Sequence, residues 1–164
     1  MTDCKQIRTI GINAWYDLVR EGSAPPVTIR LEGNSMMPLI RCGKDPVTIA
    51  ALQRPVRIGD VVLVVIGAER YVVHRVWKIN GTEIRTLGDN CVTPDPWIAQ
   101  DCVLGQAVLY SRNNVRHRLD TTAARLWGRV WMAVFPLRKR CIQLKSIIPQ
   151  ILLKTFPFIR FLRG

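Results

Sequence analysis

The chain has 164 residues, of which 48% are hydrophobic and 22% are charged, and this composition excludes a wholly disordered protein and suffices for one domain with an appendage. Residues 1–110 hold 12 basic and 11 acidic side chains, whereas residues 111–164 hold 12 basic ones and a single acid, Asp120, so the net charge of +12 lies almost entirely in the last third. A near-neutral domain followed by a basic segment predicts an anionic partner for that segment, either a membrane surface or nucleic acid.

The five cysteines are scattered and form no CxxC pair, which argues against a disulfide framework or a zinc site and favours a reducing compartment. We expect neither a metal nor a cofactor. The first thirty residues contain no apolar run long enough for a signal peptide or a spanning helix. The sequence thus predicts a cytoplasmic protein, or one that is peripheral on the cytoplasmic face of a membrane.

Residues 1–26 form the first predicted segment. Apolar side chains recur at roughly helical spacing between residues 5 and 20, namely Ile7, Ile10, Trp15 and Leu18. A short amphipathic helix that ends near Gly22 is expected, and the following Ser-Ala-Pro-Pro breaks it.

Residues 27–112 form the second segment, a predicted β domain. Short stretches rich in β-branched residues are bounded by Gly, Pro, Asn and Asp, which is typical of strands. They read VTIRLEG, PVTIA, DVVLVVI, YVVHRVWKI, EIRTL and GQAVLY. The third is apolar throughout, which indicates a strand buried on both faces. The fold class predicted is mainly β, one compact antiparallel domain.

Residues 113–164 form a basic, apolar extension in which Arg or Lys recurs every few positions and prolines interrupt every long apolar run. Such a composition favours short amphipathic helices lying in a membrane interface, and residues 125–164 are the predicted contact. Two alternatives remain open: the apolar side chains pack on the β domain or in an oligomer, or the segment binds nucleic acid. Nucleic acid is less favoured, because large apolar side chains accompany the charge.

Asn80-Gly81 lies between two strand patterns and predicts a two-residue hairpin turn. With an unbulged register, His74 would lie opposite Leu87 and Asp89 opposite Val72. Asp89 and His74 would then be diagonal neighbours on one face. A carboxylate that accepts from one imidazole nitrogen sets the tautomer and leaves the other nitrogen free as a base. A one-residue slip would separate the two side chains.

Ser35 lies in LEGNSMMPLI, residues 31–40, where an apolar strand pattern stops at Gly-Asn-Ser. A serine hydroxyl becomes a good nucleophile when a neighbouring base takes its proton. The flanking Gly33 allows close approach to a substrate carbonyl, and turn N–H groups can hold an oxyanion. A serine held out after a strand is therefore a candidate nucleophile, although a plain turn between strands is the competing interpretation.

Several segments, in their order, resemble boxes of the signal peptidase I family. GNSMMP resembles the nucleophile box, residues 58–64 (IGDVVLV) the strand after it, residues 71–76 (YVVHRV) the box of the general base, and residues 87–90 (LGDN) the Gly-Asp-Asn box. VLGQAVLY is similar to the closing strand of that domain. The resemblance covers about residues 28–110, and the order of the boxes is its specific part.

This resemblance implies a serine endopeptidase that cleaves a leader or signal-type peptide with small residues before the cut. Ser35 would be the nucleophile and His74 the base, at the position where most bacterial members carry lysine and the endoplasmic-reticulum and archaeal branch carries histidine. Asp89 would be the acidic partner or a support for the site. Asp95 is the rival acid, since that branch often has a second one shortly after the Gly-Asp-Asn box.

The chain departs from the family at two points. Gly33 stands where many members have a serine that helps to hold the oxyanion, so backbone N–H groups or Asn34 would have to do so, and Met36 could line the substrate pocket. The membrane anchor typical of the family's N-terminus is also not expected here.

Other interpretations stay open at this point. EGNSM also resembles the self-cleaving repressor proteases, but these use a lysine base and usually carry a DNA-binding domain in front. Lys44 and Lys78 are the lysines that could replace His74. The alternative function is a non-catalytic peptide-binding module with this fold, tethered to membranes by its basic tail.

Overall fold

A computed structural model describes residues 14–15, 17–19, 21, 24–67 and 70–140. One sheet of eight strands dominates the described chain, and every strand pairing in it is antiparallel. The strands are β1 (Val27–Ile29), β2 (Val47–Ala50), β3 (Val61–Ile66), β4 (Arg70–Asn80), β5 (Glu83–Leu87), β6 (Trp97–Ala99), β7 (Val103–Arg112) and β8 (Val115–Arg118). The prediction of a mainly β fold is confirmed. Residues 14–15 and 17–19 are helical, and most of the predicted first helix lies outside the described residues.

The sheet runs in the order β1-β2-β7-β3-β4-β5-β6, and β8 pairs with β7. All six predicted strands are present, and residues 61–64 are buried as expected for a strand covered on both faces. Two strands were not predicted. The three-residue β6 directly follows Pro96, and β8 returns from β7 through Asn113 and Asn114, which both have positive φ. Because β8 pairs with β7, the sheet continues beyond the predicted boundary at residue 112.

The hairpin of β4 and β5 forms, but the predicted register is wrong. Asn80 pairs with Glu83, so the two loop residues are Gly81 and Thr82. Gly81 adopts a φ of +56, a backbone region that glycine enters without steric cost, and this explains its place in the turn. A bulge between Val76 and Lys78 shifts the pairing again. The residues of β4 and β5 that lie farther from the turn therefore do not pair as an unbulged ladder predicts.

The main hydrophobic core ties the Ser35 segment to the central strands. Met36 and Ile40 are buried in one cluster with Val61, Leu63 and Val73. Val73 immediately precedes His74 on β4. Burial of apolar surface therefore holds the turn that carries Ser35 against the strand that carries His74.

Helix α1 (Thr122–Ala133) begins at Thr121, whose hydroxyl accepts a hydrogen bond from the Ala124 N–H at 3.1 Å, a standard N-cap. Residues 135–140 are again helical. Gly128 approaches the main chain of Gly59 so closely that a Cβ on residue 128 would lie 2.6 Å from the Gly59 carbonyl oxygen. α1 thus packs one face on the β domain, as the packing alternative predicted for part of the extension.

Residues 141–164, most of the predicted membrane-contacting segment, lie outside the described residues. Among the residues that the structure describes, no helix has the length and apolarity needed to cross a bilayer.

Candidate active site

Ser35 lies in the turn that follows β1. The Met37 N–H donates to the Asn34 carbonyl at 3.2 Å, and the Ile40 N–H donates to the Met36 carbonyl at 2.9 Å. Gly33 enters this turn with a φ of +74. Ser35 is half-buried. The buried side chains of Met36 and Ile40, which follow it in the sequence, anchor the turn in the core.

An arginine clamp holds the far side of this turn. Nη2 of Arg112 donates to the Leu39 carbonyl at 2.8 Å and to a carboxylate oxygen of the buried Asp45 at 2.7 Å. Arg41 donates to the same carboxylate. Burial opposes ionisation of Asp45, but the hydrogen bonds from Arg41 and Arg112 hold the pKa of this carboxyl well below its usual range. A charged network thereby joins the Ser35 turn to the end of β7.

The imidazole of His74 is bound to Asp95. Nδ1 of His74 lies 2.6 Å from Oδ2 of Asp95, and both side chains are more than nine-tenths buried. With Nδ1 protonated toward the carboxylate, Nε2 is the nitrogen left to accept a proton. The predicted hairpin register places Asp89 at this contact, whereas the structure places Asp95 there.

Two further hydrogen bonds hold Asp95 in place. The Thr86 hydroxyl donates to Asp95 Oδ2 at 2.7 Å, and Arg85 Nε donates to the Asp95 carbonyl at 2.7 Å. Burial raises the pKa of Asp95, yet the hydrogen bond and charge of His74 and the bond from Thr86 outweigh it, so the pKa of Asp95 lies below its ordinary value. The Asp95 carboxylate that binds the imidazole is therefore ionised at neutral pH.

Gly88 brings the Ser35 main chain and the free nitrogen of His74 together. A Cβ on residue 88 would lie 2.8 Å from the Ser35 carbonyl oxygen and 3.0 Å from His74 Nε2. The Asn90 N–H, two residues on, donates to the same Ser35 carbonyl at 2.7 Å. The Ser35 carbonyl oxygen and His74 Nε2 thus both lie beside Gly88, on the side where a side chain at residue 88 would project.

Asp89 bonds to Arg75 rather than to His74. Arg75 Nε and Nη2 donate to the two Asp89 oxygens at 2.8 and 2.7 Å, and both side chains are almost fully buried. Nη1 of Arg75 donates to the Gly59 carbonyl at 2.9 Å. The bulge in the β4–β5 register explains why Asp89 does not contact the imidazole of His74. Asp89 lies in the turn of residues 88–90, where its bonds to Arg75 support the site.

The two predicted oxyanion and pocket residues differ in their environment. The Asn34 side chain is exposed. Met36 is only 2% exposed and packs in the core, so its predicted place in a substrate pocket stays a prediction. Among the described residues, neither the Ser35 N–H nor the Met36 N–H donates to a main-chain carbonyl. These two N–H groups are candidate oxyanion donors.

The lysines considered as rival bases lie at the surface. Lys44 and Lys78 are exposed, and the Lys78 ammonium lies 4.6 Å from the centre of the Trp77 ring. His74 is buried instead, and its Nε2 lies beside the turn at Gly88 that also contacts the Ser35 carbonyl. No cluster of residues suited to a metal ion occurs in the part of the chain that the structure describes.

Sequence reasoning missed the residues that organise the site. Thr86 and Arg85 position Asp95, Gly88 opens the space beside His74, and Arg112 clamps the Ser35 turn. Gly88 carried a signal, because it precedes Asp89 in the LGDN segment and glycine often marks a close approach of main chains. The others carried none, since their partners are distant in sequence.

Comparison of the chain with protein-family models, curated proteins and solved structures finds no match. A function is therefore inferred from the geometry of Ser35, His74 and Asp95.

Proposed function

We propose that the protein is a serine endopeptidase in which Ser35 is the nucleophile, His74 the general base and Asp95 the acid that orients the imidazole. One observation carries the proposal. His74 is bound through Nδ1 to a buried, ionised Asp95, and its Nε2 and the Ser35 carbonyl oxygen lie 3.0 and 2.8 Å from the position that a Cβ on Gly88 would take. The resemblance of several segments, in their order along the chain, to the boxes of signal peptidase I also supports a serine endopeptidase.

The chemistry follows from the roles of these groups. Nε2 takes the hydroxyl proton as the Ser35 oxygen attacks the scissile carbonyl. The Ser35 and Met36 N–H groups are the proposed donors to the oxyanion. His74 then returns the proton to the departing amine, and water hydrolyses the acyl-enzyme by the reverse sequence of proton transfers. Asp95 stabilises the imidazolium throughout.

The substrate is proposed to bind as an extended strand. In the described sheet β1 pairs only with β2, so its outer edge is open, and the turn with Ser35 follows directly. Addition of a peptide to such an edge supplies main-chain hydrogen bonds. By the resemblance, the peptide is a leader or signal-type segment with small residues before the cut.

A fluorophosphonate probe tests the activity without knowledge of the substrate, since it reacts with an activated serine. We expect the wild type and the control Ser111→Ala to be labelled and Ser35→Ala to remain unlabelled. His74→Gln should slow labelling by about two to four orders of magnitude, the usual contribution of a general base. Absence of labelling in a folded wild type would contradict the proposal and favour the peptide-binding module.

A further inference from the structure

A cleft lies between helix α1 and the chain that leads into β3. It has a volume of about 510 Å³ and is lined by Arg57, Arg125 and Arg129 together with apolar side chains that include Val56, Ile58 and Leu126. None of its lining residues is acidic. Three guanidinium groups beside an apolar wall suit a ligand that joins an anionic group to a hydrocarbon chain.

The arginines of this cleft have unused binding capacity. Within the described residues, the Arg57 and Arg129 guanidinium groups take part in no hydrogen bond or ion pair. Arg125 Nε is buried without a hydrogen-bond partner, and it lies 3.8 Å from Asp60. Asp60 is already bound by two hydrogen bonds from Arg54, so the cleft keeps an excess of positive charge. Arg125 Nη2 also donates to the Thr122 hydroxyl at 3.3 Å, so the exposed side chains of Arg57 and Arg129 are the ones most accessible to an anionic group.

An exposed apolar stripe continues from the cleft along α1. Leu126, Val130 and Val134 recur four residues apart, which places them on one helix face, and they are 60%, 49% and 40% exposed. Trp127 and Leu137 are 59% and 67% exposed. Leu126 also lines the cleft, so the arginines and the stripe form one surface. A contiguous exposed apolar patch marks an interaction site.

The positive charge around the exposed apolar stripe indicates which kind of partner covers it. Asp120 is the only acid from residue 111 to the end of the chain, and it is bound to Arg118. A second copy of this chain that docked through the same face would therefore bring basic surfaces together. Nucleic-acid bases stack on aromatic rings, but they do not bury aliphatic side chains such as those of Leu126, Val130 and Val134. We propose that this surface, the α1 face with its arginine cleft, binds the anionic leaflet of a membrane. A phospholipid phosphate lies among Arg57, Arg125 and Arg129, while Leu126, Trp127 and Val130 enter the boundary between headgroups and acyl chains.

This inference localises the membrane contact that the sequence predicted for residues 125–164, and it is independent of the proposed peptidase activity. Ser35→Ala should bind vesicles as the wild type does. A failure of labelling at Ser35 and a failure of membrane binding are thus separate results.

Co-sedimentation of the full chain with vesicles is the test. Vesicles of phosphatidylcholine with about one third phosphatidylglycerol should bind the protein, and vesicles of phosphatidylcholine alone should bind it far more weakly. The double variant Arg57→Ser/Arg129→Ser should lose about 30-fold in affinity for the anionic vesicles, as expected for two cations removed from a membrane surface. Leu126→Ser/Val130→Ser should lose a similar factor.

Arg116→Ser and Val115→Ser are matched controls, because they remove an exposed arginine and an exposed valine on β8 and should leave binding within about twofold of the wild type.

In vesicles with brominated acyl chains, Trp127→Phe should lose much of the fluorescence quenching seen for the wild type. The proposal is overturned if neutral and anionic vesicles bind equally, or if both double variants bind like the controls. It is also overturned if the stripe variants dissociate a dimer without changing vesicle binding, or if an oligonucleotide is bound and vesicles are not.

Discussion

Gly88 lies beside His74 in the candidate active site, and the space there does not admit a side chain at residue 88. A Cβ on residue 88 would lie 3.0 Å from Nε2 of His74, and it would also lie 2.8 Å from the Ser35 carbonyl oxygen and 2.6 Å from Cys91 Sγ. These distances are shorter than normal carbon contacts, so the imidazole and the Ser35 turn keep their present separation only with glycine at this position.

Gly88→Ala should therefore slow fluorophosphonate labelling of Ser35 by about 100-fold, because a displacement of about 1 Å between base and nucleophile has an effect of that order. The rate of labelling measures this directly. Near-ultraviolet circular dichroism of the same sample shows whether the variant is folded. A folded Gly88→Ala protein that is labelled at the wild-type rate would show that Ser35 does not depend on His74.

Asp95→Asn should reduce the labelling rate by about three to four orders of magnitude, since an amide does not stabilise the imidazolium and can favour the wrong tautomer. The loss should appear in the rate of the chemical step with the protein still folded. Asp101→Asn removes an exposed acid six residues further on and is the control. Equal rates for the two variants would remove Asp95 from the catalytic group.

Asp89→Asn should act mainly on stability. It leaves the buried guanidinium of Arg75 without its counter-charge, and loss of one partner of a buried ion pair lowers the free energy of unfolding by about 3–5 kcal/mol. Urea denaturation measures the change. Glu83→Gln, which removes an exposed carboxylate on β5, should change the free energy of unfolding by less than about 0.5 kcal/mol. A stable Asp89→Asn protein with greatly slowed labelling would instead support Asp89 as the acid that acts on His74.

Acid should destabilise the protein through Asp45. Its pKa is lowered in the folded state by Arg41 and Arg112, whereas an unfolded aspartate titrates near about 3.9. The folded state therefore gains stability from ionised Asp45 above that pH. This gain is lost progressively as the pH falls from the unfolded value towards the lowered pKa of the folded state, because protons then bind the unfolded chain more readily. Urea denaturation between about pH 7 and pH 3 should show the loss.

Asp45→Asn is the variant that checks this origin. It should be less stable than the wild type at neutral pH, and its stability should fall less steeply in acid, because the linked proton uptake at residue 45 is gone. If the free energy of unfolding of Asp45→Asn fell with acid as steeply as that of the wild type, the pH dependence would come from other carboxylates. Asp95 is one of these, since its pKa is also lowered.

Local patterns in the sequence were enough to identify the mainly β fold and six of the strands, because side-chain period, β-branched composition and turn residues act within a few positions. They also singled out Ser35 and His74 as residues that deserve to be tested together. The short β6 and the polar β8 were missed, since a three-residue strand beside proline and a strand of Val-Arg-His-Arg carry little hydrophobic pattern.

The choice between Asp89 and Asp95 was decided only by the tertiary structure. The turn at Gly81–Thr82 and the bulge after Val76 shift the β4–β5 ladder, and a shift of one residue changes which side chains share a face. Asp89 then meets Arg75, and the chain after β5 returns Asp95 to His74. Register, bulges and long-range packing depend on the energy of the whole sheet, so no local stretch of residues contains that information.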